Sequence, residues 1–322
     1  MSEPVLEVRD LVVEFASEDG PLRAVDGVSF AVGRGEIVGL VGESGAGKTL
    51  TAEAILGLVR RPPGRVGGEV RFRGTNLLDL EEPALARIRG KEIAMIFQNP
   101  GASLNPVFRV GDQLVEAMAL HLGDGRRVLR RRATDILGRV GIPSAAARVR
   151  DYPHQFSGGM AQRVMIGMGV ACTPALLIAD EPTTALDVTI QAQVLSLIRR
   201  LARELGMAVL LVSHDLGIIS QMCHRVIVMY AGRIVEEAPI ETVFRAPAHP
   251  YTRALIACLP GLDEHGSRLG AIPGVMPGLA SLPRGCRFHP RCGVAEARCA
   301  LEEPVLRPAG PDQIAACHLV KS

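Results

Sequence analysis

One segment limits the fold more than any other: Gly42-Glu-Ser-Gly-Ala-Gly47-Lys48-Thr49, set between a short apolar run, Glu36 to Val41, and a helical pattern from Lys48 to Leu58. The spacing G-x-x-x-x-G-K-[ST] at a strand-to-helix junction makes a loop that cradles phosphate. Its glycines let the N–H groups of residues 44–49 converge on phosphate oxygens, and the helix N-terminus adds partial positive charge. Lys48 reaches the β- and γ-phosphates and Thr49 can ligate magnesium. The bland alternative, a glycine-rich turn with an incidental lysine, is disfavoured by the strand and helix on either side. Only Lys48, Lys91 and Lys321 are lysines among 36 basic residues, so a compact ammonium at this position stands out.

Around this loop the chain reads as α/β. Residues 5–15 and 22–32 alternate apolar and polar about a Glu-Asp-Gly turn, which predicts an antiparallel strand pair. Further strands are expected at 68–73, 92–97, 175–179, 207–213 and 225–229, with helices at 83–89, 159–171, 189–205 and 216–222. Strands alternating with helices predict a largely parallel sheet covered on both faces. Residues 110–150 carry helical periodicity and an arginine run, Arg126 to Arg132, which predicts a helical insert. A second carboxylate site is expected where the apolar run Leu176 to Ala179 ends in Asp180-Glu181: Asp180 to hold magnesium through water, Glu181 to polarise an attacking water.

Charge and hydropathy exclude several classes. With 36 basic and 34 acidic residues the net charge is +2, so no strong field argues for a nucleic-acid partner. The longest apolar stretches, such as Ala208 to Val212 and Val226 to Tyr230, fall far short of the roughly 18–20 residues of a spanning helix. The first ten residues lack a basic segment followed by an apolar core, which predicts a cytoplasmic protein with reduced cysteines.

Further motifs in fixed order resemble the ATP-binding subunits of ABC transporters. Ser157-Gly158-Gly159-Met160-Ala161-Gln162-Arg163 resembles the signature, Gln98 the Q-loop, Ala185-Leu186-Asp187 the D-loop and His214 the H-loop switch, while Phe15 occupies the place of the adenine-stacking aromatic. Phe156 and Met160 depart from the usual Leu and Gln of the signature in the manner of the peptide-permease branch. Gln98-Asn-Pro-Gly-Ala-Ser-Leu-Asn-Pro106, Ile178 to Val188 and His249-Pro250-Tyr251-Thr252 also look like the oligopeptide, dipeptide and nickel import subunits, and Arg163-Val-Met-Ile-Gly is closer to their D-type than their F-type ATPase.

The resemblance implies an ABC nucleotide-binding domain over 1–240, with an antiparallel β subdomain and a helical subdomain at about 100–160, and an extension over 241–322. It implies that Phe15, Gly42, Ser44, Gly45, Ala46, Gly47, Lys48, Thr49, Leu50, Gln98 and Asp180 bind this chain's ATP. Thr49, Gln98 and Asp180 would hold magnesium. Glu181 and His214 would be catalytic, and Ser157, Gly158 and Gly159 would touch nucleotide on a facing subunit. The expected partners are a related ATPase in a heterodimer, two membrane permease subunits met by the helical insert, and an external binding protein, with the chain peripheral on the cytoplasmic membrane face. Peptide is the expected cargo, with nickel or another small solute as the alternative. A soluble ABC ATPase of repair or translation is the other reading, although neither a coiled-coil insertion nor a second cassette is present.

Past about residue 260 the text turns rich in Pro and Gly and carries Cys286, Cys292, Cys299 and Cys317 within 32 residues. A tail of this composition is expected to be disordered, or held by something other than an apolar core. Four soft ligands suggest a metal staple; the spacing is not a zinc ribbon, and the family resemblance implies a [4Fe–4S] cluster, with zinc or free thiols as alternatives. His289 and His318 flank the cysteines. Cys172, Cys223 and Cys258 read as small core residues. Nothing in the sequence places this tail beside the phosphate loop, which favours a purely structural role.

Overall fold

A computed structural model describes residues 3–18, 20–99, 103–184, 186–259 and 272–320. Of the motif residues above, Pro100, Gly101, Ala102 and Ala185 lie outside the described residues. In chain order the described elements are strands β1 Leu6–Phe15, β2 Leu22–Val32 and β3 Ile37–Val41, helix α1 Lys48–Ile55, strands β4 Gly64–Phe72 and β5 Thr75–Asn76, α2 Glu82–Ile88 and β6 Ile93–Ile96. Then follow α3 Val110–Ala119, α4 Arg126–Arg139, α5 Ala145–Arg148, α6 Gly158–Val170, β7 Leu176–Asp180, α7 Val188–Leu205, β8 Ala208–Ser213 and α8 Leu216–Met222. The chain continues as β9 Arg225–Tyr230, β10 Arg233–Pro239, α9 Ile240–Arg245, α10 Pro250–Ala257, β11 Arg307–Gly310 and β12 Gln313–Ala315. The chain divides into two compact units. Of the described residues, one unit comprises those before Leu6, Gly33–Glu36 and those within Asp79–Leu210; the other comprises those within Leu6–Val32, Ile37–Leu78 and those from Leu211 onward.

In the first unit β6 and β7 pair in parallel, Ile93 with Leu176 through Ile96 with Ala179. All five residues of β7 are buried, which is why it reads as a continuous apolar run and not as an alternating one. The predicted insert is three helices, α3 to α5. In α4 the arginines point outward while Leu129, Ala133 and Leu137, four apart, form one buried stripe. Helix α7 begins where the Asp187 carboxylate accepts from Ile190 N at 3.0 Å and stops at Gly206 in the left-handed conformation, with Val194, Leu197, Ile198 and Leu201 on its buried face.

In the second unit β1 pairs antiparallel with both β2 and β4, and β5 extends the sheet from β4. Leu6, Val8, Leu11 and Val13 of β1 are buried; the register shift between Val8 and Leu11 keeps the apolar face inward past the bulge. The order β11, β12, β10, β9, β3 continues from the predicted strands β9 and β3 into three that periodicity did not signal. The described tail, 272–320, is therefore ordered by ordinary means. Strand β12 pairs with β10, Glu236 opposite Ala315, and Phe288 packs edge-on to Tyr230 at 5.2 Å and tilted to Tyr251 at 5.3 Å. Burying one such ring contributes about 2–3 kcal/mol. Glu236, itself buried, accepts from the backbone N–H groups of Ala248 and His249 and from Gln313 Nε2. The expectation of a tail lacking any core is thus corrected: its apolar residues are few, but they join a core supplied by β9, β10 and α10. Among the described residues no helix is long and apolar enough to cross a membrane.

Candidate nucleotide site

The phosphate loop lies in the second unit, between β3 and α1. A Cβ at Gly42 would stand 2.3 Å from the Met229 carbonyl, so only glycine lets β3 pass β9 and turn into the loop. Gly45 and Gly47 have φ of +83° and +98°, and Gly47 caps α1. The backbone N–H of Gly232 donates to the Ala46 carbonyl at 2.9 Å, bracing the loop from the turn between β9 and β10. Lys48 is buried, its ammonium donating to the carbonyls of Gly42 at 2.7 Å and Glu43 at 3.0 Å. Ser44, Gly45 and Thr49 are exposed while Gly47 and Leu50 are half-buried, so the loop presents backbone and a hydroxyl to solvent. Phe15 ends β1, half-buried, opposite Leu22 and Gly64.

The carboxylate pair lies in the first unit at the C-terminal end of β7. Asp180 is buried, and Glu181 has φ +45°, an uncommon conformation outside glycine that costs on the order of 1 kcal/mol. Its carboxylate accepts from Gln98 Nε2 at 2.9 Å and from the Thr184 hydroxyl at 2.8 Å. The structure thus brings together the predicted catalytic acid and the predicted Q-loop amide, 83 residues apart. Ser157 caps α6, its hydroxyl accepting from Met160 N at 3.4 Å, and both Ser157 and Gly158 are exposed. A Cβ at Gly159 would meet Ile190 at 2.7 Å, so this glycine permits the approach of α6 to α7. His214, in the second unit, is exposed at the end of β8, next to Asp215, which caps α8 through Gly217 N at 2.7 Å.

The structure adds residues that the sequence did not flag. The Glu43 carboxylate takes a two-point ion pair from Arg291, at 2.6 and 3.0 Å, and Glu43 N donates to the Tyr251 hydroxyl at 2.8 Å. Met276 approaches Gly45: a Cβ there would lie 3.8 Å from its Cγ. The expectation that the tail stands apart from the phosphate loop is therefore corrected. The contact joins residues 248 apart, a separation for which no local spacing carries a signal. Asp26, behind the loop, pairs with Arg23, Arg233 and Arg287; burial raises its pKa, but Arg233 and Arg287 outweigh burial and hold it below the ordinary range.

The four tail cysteines share a neighbourhood. Burial raises the Cys286 thiol to about 11, assisted by Cys299 and Cys317, and the same causes raise Cys292. All seven cysteines are free thiols. Yet among the described residues no three Cys, His, Asp or Glu side chains converge as a metal-ligand group, so the expected four-thiolate cage is not assembled. Burial, helped by the neighbouring thiols, favours the protonated form of Cys286 and Cys292, which is not the thiolate form that ligates a metal. Cys223 is buried with its thiol pushed to about 12, as a core residue, whereas Cys172 and Cys258 are only half-buried.

A glycine loop between a buried strand and a helix, with a buried lysine bound into it, defines a P-loop nucleotide-binding protein, and comparison with known proteins narrows the class. The ABC transporter family matches residues 25–184, and the oligopeptide/dipeptide transporter C-terminal region matches residues 235–299. The chain is 48% identical to the dipeptide transport ATP-binding protein DppD of Escherichia coli (strain K12), over 98% of this chain and 96% of that one. It is 49% identical to a putative peptide import ATP-binding protein of Brucella abortus (strain 2308), over 95% and 92%. Its fold is similar to the dimeric, ADP- and Pi-bound ATP-binding cassette MJ0796, with a TM-score of 0.65 at 25% identity, over 73% of this chain and 98% of the other. The chain belongs to the ABC transporter ATP-binding proteins that carry the oligopeptide/dipeptide transporter C-terminal region.

Proposed function

We propose that this chain is the ATP-hydrolysing subunit of an importer for dipeptides or oligopeptides, acting on the cytoplasmic face of a membrane. The observation that carries the reading is the near-full-length identity to a dipeptide transport ATP-binding protein, C-terminal region included, in a chain whose phosphate loop and carboxylate pair are both formed. The division into a nucleotide-binding domain over 1–240, with a helical subdomain at about 100–160, and an extension over 241–322 is supported by the two separate family matches.

The roles of the residues follow from their chemistry. Phe15 offers a face for adenine. The loop from Gly42 through Leu50 presents N–H groups to phosphate oxygens, and Lys48 supplies an ammonium already aimed by two carbonyls. A hydroxyl, an amide oxygen and a buried carboxylate, from Thr49, Gln98 and Asp180, are hard oxygen donors that suit magnesium. These residues would hold magnesium, whose charge would offset that of the phosphates. Glu181, held by Gln98 and Thr184, accepts a proton from the attacking water, and His214 contacts the γ-phosphate. Ser157 and Gly158, exposed at the start of α6, and Gly159 beside them complete the cage around ATP held by a related partner ATPase, so that ATP joins the two subunits and hydrolysis releases them. Two permease subunits and an extracytoplasmic binding protein complete the importer. A metal-held tail, with a [4Fe–4S] cluster or zinc on Cys286, Cys292, Cys299 and Cys317, is a narrower proposal supported by the shared neighbourhood of four free thiols. No step of the ATP chemistry runs through it.

The test is Glu181→Gln. Turnover is expected to fall by roughly 10²–10⁴ while ATP binding persists and an ATP-bound dimer accumulates on size exclusion. In cells lacking the chain, uptake of a labelled dipeptide is restored by the wild type and not by the variant. Steady turnover in the variant refutes the catalytic assignment, and restored nickel uptake without dipeptide uptake refutes the cargo.

A further inference from the structure

Three of the polar groups of Glu43 are engaged. Its N–H donates to Tyr251, its carbonyl accepts from Lys48, and its carboxylate is held at both oxygens by Arg291. Glu43 is the residue after the first glycine of the phosphate loop, so a full negative charge stands in a loop whose work is to gather anionic phosphates. Unpaired, that charge would oppose the ligand, because like charges at close range repel and a partly buried carboxylate is poorly screened. Arg291 is placed to cancel it. Its guanidinium is buried, fixed by the Pro273 carbonyl at 2.7 Å and lying 5.8 Å from the Tyr230 ring centroid, whereas the Glu43 side chain remains 30% exposed. A two-point guanidinium fork suits this task better than an ammonium, since it fixes the carboxylate's orientation along with its charge.

The placement of Arg291 matters as well. It ends a single helical turn, His289–Arg291, whose backbone is bonded to Cys286 on one side and to Cys292 on the other. The charge that neutralises the phosphate loop is therefore supplied by the cysteine-bearing tail.

We propose that Arg291 is a positioning residue for ATP binding: held by the tail, it neutralises and orients Glu43 so that the phosphate loop accepts nucleotide, and ATP affinity thereby depends on the tail. The proposal rests on the reading of residues 42–50 as this chain's nucleotide site. A structural staple and a neutralising partner predict different outcomes when both charges are removed. If Arg291 only braces the fold, Arg291→Met and Arg291→Met with Glu43→Gln lose affinity alike. If it cancels charge, removing the carboxylate restores what removing the guanidinium lost.

The experiment titrates the purified full-length chain and its variants with a fluorescent N-methylanthraniloyl-ATP and magnesium, alongside steady-state ATPase kinetics and thermal melting. For R291M the dissociation constant and KM for ATP are expected to rise about tenfold, with kcat at saturating ATP changed less than twofold. The R291M/E43Q pair should return to within about threefold of wild type, and R291K, which keeps the charge but loses the two-point contact, should fall between wild type and R291M. Equal losses in R291M and the double variant overturn the proposal. Lys48→Ala separates its failure from that of the underlying reading. If K48A loses ATP while R291M binds as wild type, only the Arg291 inference falls; if K48A still binds ATP, the nucleotide site itself is misassigned.

Discussion

His249 makes the stability of the phosphate-loop support depend on pH. The ring is almost fully buried, and its Nδ1 accepts from Tyr251 N at 3.0 Å, so any proton on the neutral ring is on Nε2. Burial first, and the nearby Arg253 charge second, lower its pKa to about 3. In the unfolded chain the same group titrates near 6.5. Between those values the unfolded chain binds the extra proton, so this contribution is fully present above about pH 6.5 and is lost as pH falls toward 3. The slope approaches about 1.4 kcal/mol per pH unit, so going from pH 7 to pH 4.5 costs on the order of 2–3 kcal/mol from this group alone. The consequence reaches the site because His249 caps α10, whose Tyr251 hydroxyl holds Glu43 N. His249→Asn replaces the capping ring nitrogen with an amide oxygen acceptor and removes the titration. Urea unfolding at fixed ionic strength, followed by circular dichroism at both pH values, should show the wild type losing about 2–3 kcal/mol more than the variant. Parallel pH dependence in the two proteins refutes the reasoning.

Two other outcomes follow from the geometry. Gly42→Ala puts a Cβ 2.3 Å from the Met229 carbonyl, and because the obstacle is backbone the loop itself must move. ATP affinity should fall at least about a hundredfold, or about 2.7 kcal/mol, with far-ultraviolet circular dichroism unchanged; near-normal affinity would show that the loop is not the template for phosphate. Protein purified without oxygen should be brown, absorb near about 400 nm and carry about four irons per chain if the tail cysteines hold a cluster. Stoichiometric zinc in a colourless preparation selects the alternative ion, and a metal-free protein with four alkylatable tail thiols excludes both.

Much of the fold was written in local patterns. The predicted helix Leu216 to Met222 is found with those ends, and most other predicted elements lie within a residue or two of their observed bounds, because each buries a face whose period shows in a few consecutive residues. Strand β4 starts earlier than expected, at Gly64 and not Gly68: three glycines and two arginines dilute its alternation, and pairing with β1 overrides that weak signal. Strands β10, β11 and β12 went unread for a related reason. They are short or carry Pro and charged residues, and they are strands only because each lies against a neighbour already in place.

The same division holds at the site. The phosphate loop, the acid pair and their order are legible along the chain, since glycines that must turn and a lysine that must reach phosphate are fixed by spacing over a few residues. That Gln98 meets Glu181, that Tyr251 and Arg291 both hold Glu43, and that the described tail joins a core instead of standing apart emerges with the folded chain. Those contacts are made by single side chains far apart along the chain, where periodicity carries no information and only packing selects the partner.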